Sequence, residues 1–355
     1  NVVVISPLTL FKKGVNQYAK NKKTNVVDDV KIYYPRHLSF SNYGKYNANS
    51  YFAFKKIDKI FSRLVSEFKP DLIHANMIGF DGKIGTMLKE KYNVPLFITT
   101  HGSDTSLEIE NGKGEFIADI CKKADGVVAV STKLQNQLLQ QDENLNIKVI
   151  HNGFDSSYAK PLEKMPHSLI SVGNLKKQKN FDITIKAFHI IKKKYPDATL
   201  TIIGDGGVME SLLNLARELS LENSINFCGR QDNKNVLRQM ATADVFLLPS
   251  TREGFGIVYL EAMASGCFTI GTKGEGIADI IENEKNGILV SAGDYEEIAE
   301  YISKAFDNND YKCKIQNQGI ICARKLTWEE NARKNTEFFE KEIGYVSQKK
   351  VLQNT

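Results

Sequence analysis

At 355 residues the chain is too long for one ordinary core, so two domains are expected. Its 42% hydrophobic and 25% charged content excludes a disordered or fibrous protein, and no apolar run of about 18 residues is present to span a bilayer. Residues 1–165 hold 23 Lys+Arg against 17 Asp+Glu (+6); the rest, 47−23 against 42−17, holds 24 against 25 (−1). The basic first half faces either an anionic partner or simply solvent. Nucleic acid is not expected, because no recognised module and no interleaved aromatic–basic stripe is found. Cys121, Cys228, Cys267, Cys313 and Cys322 show no CxxC spacing, which suits buried thiols in a reducing compartment.

In chain order, Asn1–Ile5 lacks a basic stretch followed by a long apolar one, so a strand is expected there rather than a signal peptide. Strands are expected at Val2–Ser6, Asp71–Ala75, Leu96–Thr100, Gly126–Val130 and Lys148–Ile150, with helical periodicity at Phe52–Phe68 and Asp119–Lys123. The first of these helices is basic and amphipathic. It either packs on the first sheet with Lys55, Lys56, Lys59 and Arg63 to solvent, or lies on anionic lipid. His74, inside a strand, reads as a satisfied core or edge residue.

Asn152–His167 carries Gly153, Pro161 and Pro166 with little periodicity, the composition of a linker. Domains are therefore expected over 1–152 and 168–326, joined by residues 153–167. In the second, strands are expected at Ser168–Val172, Thr199–Ile203, Ser224–Phe227, Val245–Leu248, Phe268–Gly271 and Gly287–Val290. Helices are expected at Phe181–Lys194, Val208–Ser220 and Tyr259–Ser265, and a last amphipathic helix over 327–345. Strand–helix alternation in both halves predicts an α/β protein with parallel sheets, whose carboxyl-end edges face each other across a cleft.

The most informative stretch runs from Asp244 to Gly266. A buried strand ends at Pro249, a loop with Gly254 and Gly256 follows, and a helix begins near Gly256. Unpaired amides and the positive dipole end at such a start suit a diphosphate. Glu253 before the helix and Glu261 within it either favour the dipole as solvated carboxylates or grip a sugar and a ribose. Gly204-Asp205-Gly206-Gly207 alone is a weak dinucleotide fingerprint.

The two glutamates eight positions apart in an E-G-F-G loop and its helix resemble glycosyltransferase family 4, whose members are retaining enzymes of the two-Rossmann GT-B architecture. The resemblance covers nearly the whole chain. His151-Asn152-Gly153-Phe154-Asp155 is similar to the family's P-N-G-V-D, Gly173-Asn174 through Lys179-Asn180 to G-R-L-x-x-x-K-G, and Thr100-His101-Gly102 to T-x-H-G. Ile203-Gly204-Asp205-Gly206, Phe227-Cys228-Gly229 and Gly276-Ile277-Ala278-Asp279-Ile280-Ile281 match in order and spacing.

This resemblance implies a nucleotide-sugar donor, expected to be a UDP-sugar, with Glu261 on its ribose and Lys179 on its diphosphate. Glu253 and the loop backbone at Gly254, Phe255 and Gly256 would hold the transferred sugar, with Ile257 and Val258 at the helix start also on the donor. The segment after Gly229, Arg230 included, would touch the base and Asn174 the phosphates. His101 would reach the donor sugar as the cleft closes, and Gly14 would lie beneath acceptor and phosphates. No metal or other cofactor is expected. The acceptor would be a glycan or lipid-linked and taken by the first domain, with the last helix crossing back to it. The protein would work in the cytoplasm, on the inner membrane face if the basic first domain binds lipid. Asn174 replaces the family's Arg, which Lys176, Lys177 or Arg252 would have to compensate; Asp279 replaces a common Glu. The same architecture also serves sugar-nucleotide 2-epimerases, and a silent nucleotide-sugar-binding protein remains a rival.

Overall fold

The structure, a computed structural model, describes residues 1–9, 23–38, 46–155 and 160–353; Gly14 lies outside the described residues. The chain forms two compact units. Unit 1 comprises Asn1–Ala129, Gln137–Lys148 and Phe338–Thr355; unit 2 comprises Val130–Asn136 and Val149–Glu337. The short segment Val130–Asn136 thus groups with the second unit, and the last helix, Trp328–Gln353, is shared at Glu337/Phe338.

Unit 1 contains β1 (Val3–Ile5), β2 (Leu8–Thr9), β3 (Thr24–Val27), β4 (Val30–Tyr33), β5 (Arg36–His37), β6 (Ile73–Ala75), β7 (Leu96–Thr100), β8 (Gly126–Ala129) and β9 (Ile147–Val149). They form three sheets, β1-β4-β3, β2-β5 and β6-β7-β8-β9. The β3–β4 pair is antiparallel, unlike the expected all-parallel arrangement. Its turn residues Asp28 and Asp29 have φ of 48° and 62°, the left-handed pair that a two-residue hairpin needs to match strand twist. Strand β7 is buried throughout, as a parallel strand covered on both faces should be.

Helix Tyr46–Glu67 buries Ala53, Ile57, Phe61 and Leu64, one stripe at helical spacing, and leaves Lys55, Lys56, Lys59 and Arg63 exposed. Its apolar face is therefore used in packing. The last helix sets Phe338 and Phe339 against Phe97, with ring centroids 5.9 and 4.4 Å away. Gly126 makes room for them, since a Cβ there would come within 2.7 Å of the Phe338 ring. His74 donates to or accepts from Thr99 Oγ1 at 2.7 Å and meets the Phe339 ring edge-on, a structural setting.

Unit 2 contains β10 (Met165–Val172), β11 (Thr199–Ile203), β12 (Ile225–Phe227), β13 (Ala243–Leu247), β14 (Phe268–Thr272) and β15 (Ile288–Val290). All five pairings are parallel and the order is β12-β11-β10-β13-β14-β15, the doubly wound Rossmann order. The order reverses between β10 and β13, and ligands of such sheets sit outside the carboxyl ends at that point. The expected linker is shorter than its composition suggests. Met165 already pairs with Ala243, and Phe154 bridges Thr327, so tertiary pairing overrides the loop-like prolines and Gly153. Strands β10, β13 and β14 are mostly apolar where buried but also bury Ser168, Ser171, Thr269 and Thr272; their one buried carboxylate, Asp244, is answered by Lys312 at 2.9 Å. Cys121 and Cys267 are buried, the other three thiols half-buried, and none is paired.

Candidate active site

After β13 the chain runs through Pro249 and a tight loop into the helix Ile257–Ala264, whose N-cap is Gly256 at φ 85°. A Cβ at Gly256 would come within 2.6 Å of the Tyr259 ring, so both conformation and space require glycine. Tyr259 is fully buried and donates its hydroxyl to Leu248 O at 2.6 Å, which ties the helix start to the end of the strand.

Lys179 reaches this loop because its turn is stitched to it. Asn180 Nδ2 donates to Pro249 O at 2.9 Å, and Thr251 N to Gln178 O at 2.8 Å. Asn180 itself is left-handed (φ 51°) and opens the helix Phe181–Lys194. The result is an ion pair between Lys179 and Glu253, both half-buried. Burial pushes the Glu261 carboxyl above the ordinary glutamate value, against the opposing pull of nearby Asn233.

These groups border one cavity of about 570 Å³ at the carboxyl ends of β10 and β11, the place the strand order predicts. Of the expected residues, Asn174, Lys179, Arg230, Glu253, Gly256, Ile257, Val258 and Glu261 line it. Gly254 and Phe255 do not; Phe255 is buried, its ring stacked on His151 at 5.5 Å and 17°. Lys176, Lys177 and Arg252 are likewise off the wall, so the lining cations are Lys179 and Arg230. Gly204 and Gly206 line the cavity for a packing reason. Cβ atoms there would strike the carbonyls of Gly173 and Leu175. Gln231, in the segment after Gly229, and Asn233, which was not singled out, also line the cavity.

The family profile described as "Glycosyl transferases group 1" matches residues 154–334, and "Glycosyltransferase Family 4" matches residues 9–158. This chain is a family 4 glycosyltransferase. An uncharacterized glycosyltransferase of Methanocaldococcus jannaschii is 28% identical over 317 residues, 88% of this chain and 84% of the relative. The N-acetyl-alpha-D-glucosaminyl L-malate synthase of Bacillus anthracis is 32% identical over 220 residues, covering 58% of this chain and 57% of the relative. Among solved structures, the sucrose-phosphate synthase of Thermosynechococcus elongatus superposes with a TM-score of 0.77 at 18% identity, covering 92% and 87% of the two chains. Anabaena HepE, in complex with UDP and glucose, gives 0.73 at 20%, covering 88% and 86%. These likenesses agree with a GT-B α/β fold of two Rossmann-like units.

In unit 1 of the glycosyltransferase, His101 follows β7 in a loop organised by Asp104. One buried carboxylate oxygen, Oδ1, accepts from Thr100 Oγ1 (3.1 Å), His101 N (3.0 Å) and Gly102 N (2.9 Å), while Oδ2 accepts from Ile78 N (3.1 Å). Asp104 is thus a loop organiser that the T-x-H-G pattern does not include. Asp81, in a π-helical turn (Ile78–Gly82), has its carboxyl pushed up to about 6 by burial and by the Asp104 charge.

Proposed function

We propose that this glycosyltransferase moves a sugar from a UDP-sugar to a glycan or lipid-linked acceptor, with retention of anomeric configuration and without a metal ion. The observation that carries the reading is the convergence of Lys179, Arg230, Glu253 and Glu261 on one cavity beside a helix start. Glu261, aided by Asn233, accepts the ribose hydroxyls. Lys179 and the helix-start amides take the diphosphate, and Glu253 takes hydroxyls of the transferred sugar. That Anabaena HepE, of similar fold, was solved with UDP and with UDP-glucose supports the choice of donor.

In the reaction the anomeric carbon–phosphate oxygen bond breaks and the acceptor oxygen bonds to that carbon on the same face. The leaving phosphate oxygen takes the acceptor hydroxyl proton, and the negative charge that grows on the diphosphate is met by Lys179 and Arg230. Donating Lys179 to the diphosphate releases Glu253 from its ion pair, so donor binding and sugar binding are linked through one lysine. We assign the acceptor to unit 1 and polysaccharide or glycolipid assembly at the cytoplasmic membrane face as the setting. Lys55, Lys56, Lys59 and Arg63 would make any lipid contact electrostatic rather than insertive.

A thermal-shift panel of nucleoside diphosphates and their sugars in EDTA tests donor and metal independence together. Stabilisation by UDP and UDP-sugars is expected. No response without added Mg²⁺, or conversion of the UDP-sugar to its epimer with no acceptor, would overturn the reading.

A further inference from the structure

Glu275 lies outside the cavity wall, in the turn before Gly276–Asp279, yet it touches the loop that presents Glu253. Its Oε2 accepts from the Glu253 backbone amide at 2.6 Å and from Lys133 Nζ at 2.5 Å. Four residues on, Asp279 Oδ2 accepts from Thr132 N at 2.6 Å and meets His151 Nε2 at 3.1 Å. Burial raises the Asp279 carboxyl pKa, but the His151 and Thr132 bonds outweigh that and leave it below the ordinary value. His151 in turn stacks on Phe255.

The loop Glu253–Gly256 is therefore braced twice from behind, at the amide of Glu253 and at the ring of Phe255. Both braces run back to the same short segment, through Lys133 and Thr132. The amide of Glu253 precedes the helix and has no intrahelical partner, so a charge-assisted acceptor there fixes the backbone from which the side chain departs. Glu253 and Glu275 each have their own lysine, Lys179 and Lys133.

We propose that Glu275, held by Lys133, is a positioning residue that sets where the Glu253 carboxylate stands in the cavity. This rests on the reading that Glu253 takes the transferred sugar. Glu275→Ala removes the acceptor; Glu275→Gln keeps an oxygen for the Glu253 amide but loses the Lys133 charge. Three measurements separate the cases: hydrogen exchange of the segment 249–258, UDP affinity by calorimetry, and UDP-glucose turnover.

In Glu275→Ala, exchange in that segment should rise about 10-fold. Turnover should fall about 100-fold, the cost of a small misplacement of a reacting group. UDP affinity should stay within about 3-fold, because Glu261, Asn233 and Lys179 are untouched. Glu275→Gln should recover most of the turnover and most of the protection. Unchanged exchange in Glu275→Ala, equal losses of turnover and UDP affinity, or a Gln variant no better than Ala would overturn the proposal. A wild-type protein that neither binds UDP nor consumes UDP-glucose would sink the donor reading instead, and the exchange contrast would still decide whether Glu275 holds the Glu253 amide.

Discussion

The two units are built on the same principle and finished differently. Unit 2 is one uninterrupted six-stranded parallel sheet, with a cavity at the point where its strand order reverses and a short helix aimed there by a buried tyrosine. Among the described residues, unit 1 is divided into three sheets, one with an antiparallel hairpin, and shows two separate apolar clusters. On the function proposed above, unit 2 takes the diphosphate and ribose, which ask the same of every enzyme that binds them, and one continuous scaffold would answer that demand. A unit assembled from short pieces can change its edges without disturbing a shared core, which would suit the acceptor role proposed for unit 1.

The largest effect that tests this division is in unit 2. Lys179→Ala should lower kcat/KM with UDP-glucose by about 10³, the usual loss when a pre-placed charge on a developing anion is removed. A loss under 10-fold, measured by initial rates, would break the contrast. In unit 1, Phe339→Ala should cost about 3 kcal/mol in urea melts by opening the contact with Phe97. UDP affinity of the folded protein should not change, and a parallel fall in affinity would show that the units are not separable in this way.

Next in size is a pH effect. Because burial raises the Glu261 carboxyl, that group takes up its proton at a higher pH than a free glutamate. UDP affinity should be full above the raised value and weaken as pH falls through it, about 10-fold per pH unit at the low end. Glu261→Gln should remove the slope in calorimetric titrations and bind weakly throughout. The smallest effect is at Asp81. With its folded pKa at about 6, above the ordinary aspartate value, its charge costs stability that accumulates as pH rises from about 4 through 6 and is absent below. Asp81→Asn should stabilise by about 1–2 kcal/mol at pH 8 and by nothing at pH 4, read from denaturation midpoints.

Elements whose signal is local were legible in the sequence. Leu96–Thr100, Thr199–Ile203 and Phe181–Lys194 are found with the expected ends, since unbroken apolar runs and a clean helical stripe determine them. The β3–β4 hairpin was not, because Asp28-Asp29 lacks the glycine that usually marks such a turn. Helix Gly114–Lys123 starts five residues before the expected Asp119, since Gly114 and Phe116 are carried into it by packing rather than propensity. In the site, motif residues on the helix start and on the Lys179 turn came together. Glu275 and Lys133 were not singled out for it, because the partners of Glu275 lie 22 and 142 residues away and only chain closure selects them.

The floor of the cavity has one more implication. Where Gly204 and Gly206 pass the carbonyls of Gly173 and Leu175, main chain lies on main chain with no room for a methyl group. Natural drift or laboratory redesign cannot reshape the binding space from below without parting two strands. If the donor binds as proposed, its preference would be altered through lining side chains such as Arg230, Gln231 and Asn233.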